Sequence, residues 1–345
     1  MNVLLIHVGA DTTNLGVVGP IFSNGTFEFI PINNFCGLET RTYANLLARN
    51  KQFGDTLADF LPSNVGNLNP HPDPDFDAYT FGEPNNPEPI PRALRKLKPE
   101  DMLFFVSSLA PYDQAAYQAK DSMLQVYQRG KKNKYVIGFF RVKGIVLVHV
   151  VRSAPRLTLA LLHLLSLLEE GEGFPELGDL TSELRTLQEI GYTAKKQDTY
   201  ELTDDGRELA LWFSDLLYEK KSDEEKKSFL EEGIFDVEPL AGSIPKDILK
   251  TNHHIRRLKP VDRDYCIVLA GEQEGSALLT RAVQLTQGFE RVSFKLNQLG
   301  RTILGRDTDT LRGVRWIDEN AGKLLAEAIA KTNSDLEFNL QSYFE

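Results

Sequence analysis

Cysteine is scarce: Cys36 and Cys266 are the whole complement of a 345-residue chain. Two thiols exclude a disulfide scaffold and any zinc site built on four cysteines, and they fit a reducing compartment. Long apolar runs are also missing. None reaches the roughly 20 residues that span a bilayer, so no membrane partner is expected and the expected location is cytoplasmic. The apolar start, Val3 to Val8, has no basic flank and is too short for a signal segment; it reads as a buried strand. No Gly-x-Ser-x-Gly elbow occurs, and there is no internal repeat. Gly271 and Gly275 follow a strand as the glycines of a phosphate loop do, but the lysine is missing and Glu272 and Glu274 repel phosphate.

What is present is unevenly charged. The chain carries −10 overall, and Ser153 to Glu232, with 9 Lys or Arg against 19 Asp or Glu, accounts for all of it. The remainder is balanced, so net charge does not exclude a polyanion there. The acidic stretch is also the helical one. Leu157 to Leu168 reads as a buried helix and Thr181 to Ile190 as a second, with Leu184, Leu187 and Ile190 on one face. A hairpin from Tyr192 to Leu202 follows, and Thr203 caps a further helix with Asp204 and Asp205 in its first turn.

The flanks read as strands and loops. Ser23-Asn24-Gly25 marks a tight turn between Pro20–Phe22 and Phe27–Ile30. Asn45 to Leu61 reads as helical, on Leu46, Leu47, Phe53, Leu57 and Phe60. Asn69 to Pro91 holds seven prolines, which argues against both helix and central strand and predicts a long stiff loop. Met102–Val106, Tyr135–Val142, Ile145–Val151, Asp264–Ala270 and Arg291–Leu296 have strand composition. Asp113 to Arg129 and Gly275 to Thr286 read as helices, Gly130 to Lys134 as a basic turn, and Asp318 as the cap of a last helix. The class is α/β (α+β), with residues 1–152 and 252–345 forming one discontinuous domain around an insert, 153–251.

Three groups of residues carry candidate chemistry. His71, Asp73, Asp75 and Asp77 alternate along a proline-stiffened chain, so one imidazole and several carboxylates share a face. Such a set suits a divalent metal or acid–base work. Phe104, Phe105, Phe139 and Trp316 supply rings for stacking a base. Lys131, Lys132, Lys134 and Arg141 lie beside one of those strands, placed to hold a phosphate backbone.

The opening Met1 to Thr13, with Gly19–Phe22 and Ile30–Ile32, resembles the third nucleotide-modification-associated domain family. So do His71–Asp75, Tyr79–Gly82, Ser276–Leu279 and Arg312–Trp316. The resemblance covers 1–152 and 252–317. It departs at His7-Val8-Gly9-Ala10-Asp11, where the family opening carries a run like Ser-Arg-Lys-Gly-Phe-Asp, so the basic pair is lost. Leu97–Ser108 with Lys134–Val146 is similar to PUA-like and EVE-like domains, which implies a curved sheet or barrel whose cleft takes a flipped or modified base. Leu184 to Leu209 resembles the recognition helix and wing of winged-helix regulators. That helix offers Arg185 beside Glu183 and Glu189, so the insert is expected to dock a protein partner or a second copy rather than DNA. The resemblance implies binding or handling of a modified base or nucleotide, with Asp11, Thr12, Phe104, Phe105, Phe139, Arg315 and Trp316 lining the pocket. Two alternatives stand beside it: a metal-dependent nucleotide-modifying enzyme using His71, Asp73 and Asp75, and a ligand-sensing regulator.

Overall fold

The computed structural model describes residues 1–11, 16–33, 41–71, 73–84, 87–119, 121–151, 159–165, 180–189, 191–196, 199–207, 210–211, 214, 234–245, 248, 263–290 and 293–344; of residues 121–122, 149–151, 234–237, 263–265 and 290 it describes the backbone alone. The chain divides into two compact units. Met1–Leu147, Pro239–Arg257 and Cys266–Glu345 form one, Val148–Glu238 and Leu258–Tyr265 the other.

The first unit is built on a mixed sheet. In chain order the first strands are β1 (Val3–His7), β2 (Gly19–Ile21), β3 (Ile32–Asn33), β4 (Pro70–His71), β5 (Thr80–Pro84), β6 (Met102–Pro111) and β7 (Asn133–Val151), of which β3 and β4 pair in a small sheet of their own. In the acidic region β8 (Thr193–Lys196) and β9 (Thr199–Leu202) form a separate hairpin. There follow β10 (Ile234–Gly242), β11 (Arg263–Gly271), β12 (Ala277–Gln284), β13 (Thr286–Glu290), β14 (Ser293–Leu296), β15 (Thr308–Asp309) and β16 (Val314–Ile317), with β13, β14 and β15 in a separate three-stranded sheet. The main path runs β16-β1-β6-β7-β11-β5, with β2 on β6 and β10 and β12 on β7. β1 and β6 are parallel, as are β2 and β6, while β6 and β7 are antiparallel. Among the described residues the path stays open at both ends, so the expected barrel alternative is replaced by an open mixed sheet.

The helices are α1 (Pro89–Leu94), α2 (Gln114–Ala119), α3 (Asp121–Lys131), α4 (Thr181–Glu189), α5 (Gln298–Leu304) and α6 (Glu319–Thr332). α6 starts where Asp318 accepts the Ala321 N–H at 2.8 Å, as its capping position predicts. Its Leu325, Ala326 and Ile329 enter a core with Leu4, Ile6, Phe104 and Phe139; Leu324 turns outward and is exposed. Phe22, Tyr43, Phe60, Tyr117 and Leu124 make a second, smaller core.

Several expectations change. Asn45–Leu61 is no helix: two 3-10 turns, Tyr43–Asn45 and Leu57–Phe60, bracket a loop, because no apolar residue bridges Leu47 to Phe53 at helical spacing. The proline-rich stretch does hold two strands: β4, paired with β3, and β5, which among the described residues pairs with β11 at the end of the sheet path, where Pro84 breaks no inner ladder. Gly275–Thr286 forms β12 instead of a helix, laid antiparallel on β7. The two strands read from Tyr135 to Val151 are one, β7, and α3 runs to Lys131, so the basic turn shrinks to Lys132.

Gly138 in β7 gives the proline-rich loop its seat. A Cβ there would collide with the ring of Phe76 and lie 2.7 Å from the Ala277 carbonyl. Phe76 fills that space, edge-on to Phe105 and to Phe140 at 5.4 Å each.

The second unit has helical residues 159–165, α4, the β8–β9 hairpin and a helical turn at 204–207 begun by Thr203, whose hydroxyl accepts the Gly206 N–H at 3.1 Å. Leu161 and Leu164 are buried and Leu211 is exposed; Leu157, Leu168, Trp212, Leu216 and Leu217 lie outside the described residues. Among the described residues no helix is long and apolar enough to cross a membrane.

Candidate functional site

A charged cluster lies at the C-terminal ends of the parallel strands β1 and β6, the end of an α/β sheet where ligand crevices open. The sequence puts it there by turns. β1 ends at His7, and Gly9, at φ +78°, redirects the chain where a side chain would lie 2.6 Å from the Phe29 ring and 3.2 Å from Ser107 Oγ. The Ala10 N–H then bonds to the Ile30 carbonyl at 2.7 Å, which fixes Asp11. From the other side, Gln128 of α3 accepts the Val18 N–H and donates to the Val18 carbonyl, each at 2.9 Å, and donates to Tyr117 Oη at 2.8 Å. This buried amide anchors α3, and Lys132 follows directly, its N–H on the Gln128 carbonyl. β7 then starts with Asn133 and Lys134, and Lys134 pairs across the ladder with Ser108.

Asp11 is the hub. Lys132 Nζ donates to its Oδ1 at 3.0 Å, and Lys134 Nζ lies 3.7 Å from Oδ2. Lys134 Nζ also donates to Ser108 Oγ at 2.8 Å. His7 Nε2 stands 3.4 Å from Ser108 Oγ and 4.0 Å from Asp11 Oδ2. Aromatic faces cover the cations: Lys132 over Phe289 at 5.6 Å and Lys134 over Phe294 at 5.4 Å. Both lysines and Asp11 are buried, and His7 keeps 13% side-chain exposure.

Burial sets the protonation states. It works against charge on Asp11, yet Lys134 and Lys132 outweigh it and hold the carboxyl far below its usual range. Burial, with Lys134 next, pushes His7 down to about 3, so the imidazole is neutral at pH 7. Lys134 falls to about 7: burial lowers it most, Asp11 opposes, and Lys132 and Arg312 add to the lowering. Arg312 is an exposed residue that acts on both His7 and Lys134.

The residues expected to form a site scatter. Asp11, Lys132 and Lys134, drawn from two separate groups, come together. The two lysines are buried rather than displayed to a phosphate backbone, Lys134 within β7 and Lys132 at the junction of α3 and β7; Lys131 is the exposed one. Arg141 is half-buried, binding Glu100 and, at 2.8 Å, Glu272. Phe104, Phe105 and Phe139 make no stacking platform, since all are fully buried and pack on other rings such as Phe140, 4.7 Å from Phe105. Trp316 stands apart, 41% exposed on β16. Arg315 is a structural clamp: Nε and Nη2 grip Asp309 at 3.0 and 2.9 Å. Thr12 lies outside the described residues.

The His71 set does not converge either. His71 Nε2 is 3.7 Å from Asp73 Oδ2, and Asp73 takes the Gly82 N–H at 3.1 Å. The chain then turns, so Asp75 accepts the N–H groups of Asp77 and Ala78 at 2.9 and 3.0 Å instead of joining them. Among the described residues no group of three or more His, Cys, Asp or Glu is placed to hold a metal ion.

The profile of the family described as nucleotide modification associated domain 3 matches residues 2–233. That is well over half of the chain, and the chain belongs to this family. The match spans the acidic region and ends before the Ser276–Leu279 and Arg312–Trp316 motifs, a different span from the 1–152 and 252–317 of the motif resemblance. No curated protein sequence and no solved structure matches the chain. Membership supports a part in nucleotide modification, and the matched region contains His7, Asp11, Ser108, Lys132 and Lys134.

Proposed function

We propose that the chain binds a nucleotide through its phosphate at the Asp11 cluster, within a nucleotide-modification system. One observation carries the reading. Lys134 is hydrogen-bonded to Ser108, and burial, which Asp11 only partly offsets and Lys132 and Arg312 reinforce, leaves it titrating near 7. A phosphate approaching past His7 and Arg312 adds negative charge beside Lys134, in a setting where low polarity strengthens the attraction. The chemistry selects the phosphate and leaves the base open.

Calorimetry of the full chain with a deoxynucleoside 5′-monophosphate and with the matching nucleoside tests this. The nucleotide is expected to bind at least tenfold more tightly, roughly the contribution of one charge-assisted contact. Near pH 7.5 binding should take up a proton, because the anion raises Lys134; heats in buffers of different ionisation enthalpy report it. Equal affinities for the two compounds would contradict the proposal.

A second reading, in which the chain modifies the nucleotide, is favoured by the 2.8 Å contact between Lys134 and Ser108. A lysine near neutrality is partly free amine and accepts a proton at that atom. Here Lys134→Met removes turnover but not nucleotide binding, whereas under the binding reading it weakens binding itself.

A further inference from the structure

A cleft lies where the proline-rich loop faces the C-terminal segment. The cleft there has a volume of about 860 Å³, the size of a small-molecule pocket. Its apolar lining combines four aromatic residues, Phe76, Tyr79, Phe338 and Tyr343, with Ala277, Leu278 and Leu336. Tyr79 is held at φ +51°, a conformation that non-glycine residues rarely keep without support from their surroundings. Its ring meets Phe140 at 6.1 Å and its carbonyl accepts the Gly271 N–H at 2.8 Å. Tyr343 is fixed as well, donating its hydroxyl to the Glu274 carbonyl at 2.9 Å and lying under Arg141 at 4.6 Å.

Four carboxylates share this lining, Asp77, Glu274, Asp335 and Glu337, against one cation, Arg49. Asp335 is held ionised by the Thr280 hydroxyl at 2.6 Å. Arg49 is satisfied from behind: its Nη1 donates to the Leu279 carbonyl at 3.2 Å, its guanidinium lies 5.6 Å from the Phe27 ring centre, and Glu28 and Asp77 offset its charge. The cleft is therefore aromatic and net negative, the reverse of the Asp11 cluster, and it disfavours phosphate.

We propose that this cleft binds a small organic cation, a planar amidinium or ammonium compound, between ring faces and carboxylates. Quadrupole attraction to the rings and charge attraction to the acids then act on the same ligand. Most of the lining lies beyond residues 2–233, so the site belongs to the C-terminal part of this chain rather than to the matched family region.

The experiment uses two probes of one shape. The full chain is titrated with benzamidine and with uncharged benzamide at low salt, by calorimetry and ligand-detected NMR. Benzamidine is expected to bind roughly tenfold more tightly, the order of one partly desolvated cation–π contact. The exposed pair Glu274→Gln and Glu337→Gln should erase most of that preference, and Tyr343→Ala should weaken both probes, with thermal melting confirming folded protein. Asp77→Asn, also at an exposed position, repeats the charge test independently. Absence of benzamidine binding, equal binding of benzamide, or an unchanged preference in both charge variants overturns the proposal. A nucleoside monophosphate competing for the same site overturns it too, whatever happens at the Asp11 cluster.

Discussion

Asp11 and Asp309 are both buried carboxylates met by two cations, yet they are different devices. Asp309 is gripped by the fork of Arg315, with Arg306 and the Leu311 N–H, at 2.6 Å, completing its shell. Burial opposes its charge, and Arg315 and the Leu311 N–H hold it low. A guanidinium does not lose its proton in a protein, so that arrangement is locked. Asp11 faces lysines, and lysine yields to burial: Lys134 drops to about 7. The same charge pattern is a fastening when the partner is arginine and a titrating centre when it is lysine.

The largest expected effect comes from breaking the fastening. Asp309→Ala should destabilise the fold by about 2–4 kcal/mol in denaturant unfolding, because Arg315 and the Leu311 N–H lose a buried, charged acceptor. Asp11→Asn should lose less, about 1–3 kcal/mol, since Lys134 sheds its proton. That loss should be smaller at pH 9 than at pH 6. Equal losses from the two variants would erase the distinction.

A smaller effect sharpens it. Between pH about 7 and about 10.5 the unfolded chain holds a proton on Lys134 that the folded chain has released. Stability therefore rises with pH across that window. Lys134→Met should flatten this portion of the stability curve relative to the parent, measured by melting temperature against pH. An unchanged slope would place the titration elsewhere. The smallest effect is expected at Lys131, the exposed neighbour: Lys131→Ala should stay within about 0.5 kcal/mol and leave both pH profiles alone.

Much of the sheet was legible in the sequence, because buried strands such as Met102–Val106 are dense in aromatic and β-branched residues. β12 was not: Ala277–Gln284 places apolar residues at spacings that suit a helix as well as a strand, and its register on β7 is interrupted by an irregularity. The site was half legible. Asp11 followed from the family opening. Lys132 and Lys134 stand out as basic residues, but grouped with Lys131 and Arg141 beside one strand, so nothing local tells the buried lysines from the exposed one. Ser108 and His7 had no local signal, since the ladder partner of Lys134 and the end of β1 are matters of sheet register. The aromatic residues misled for a related reason: composition marks Phe104, Phe105 and Phe139 as strand residues and is silent about which of them meet solvent.

A sheet ordinarily governs what rests on it through the side chains it raises. At Gly138 it governs by withholding one. The empty place on β7 is the notch into which Phe76 drops, and Phe76 brings Asp77 and Tyr79 to the rim of the cleft. The outline of that cleft is thus written partly into a residue that does not line it. One methyl group at position 138 would act as a wedge under the loop, altering what the cleft accepts while leaving every carboxylate on its surface in the sequence.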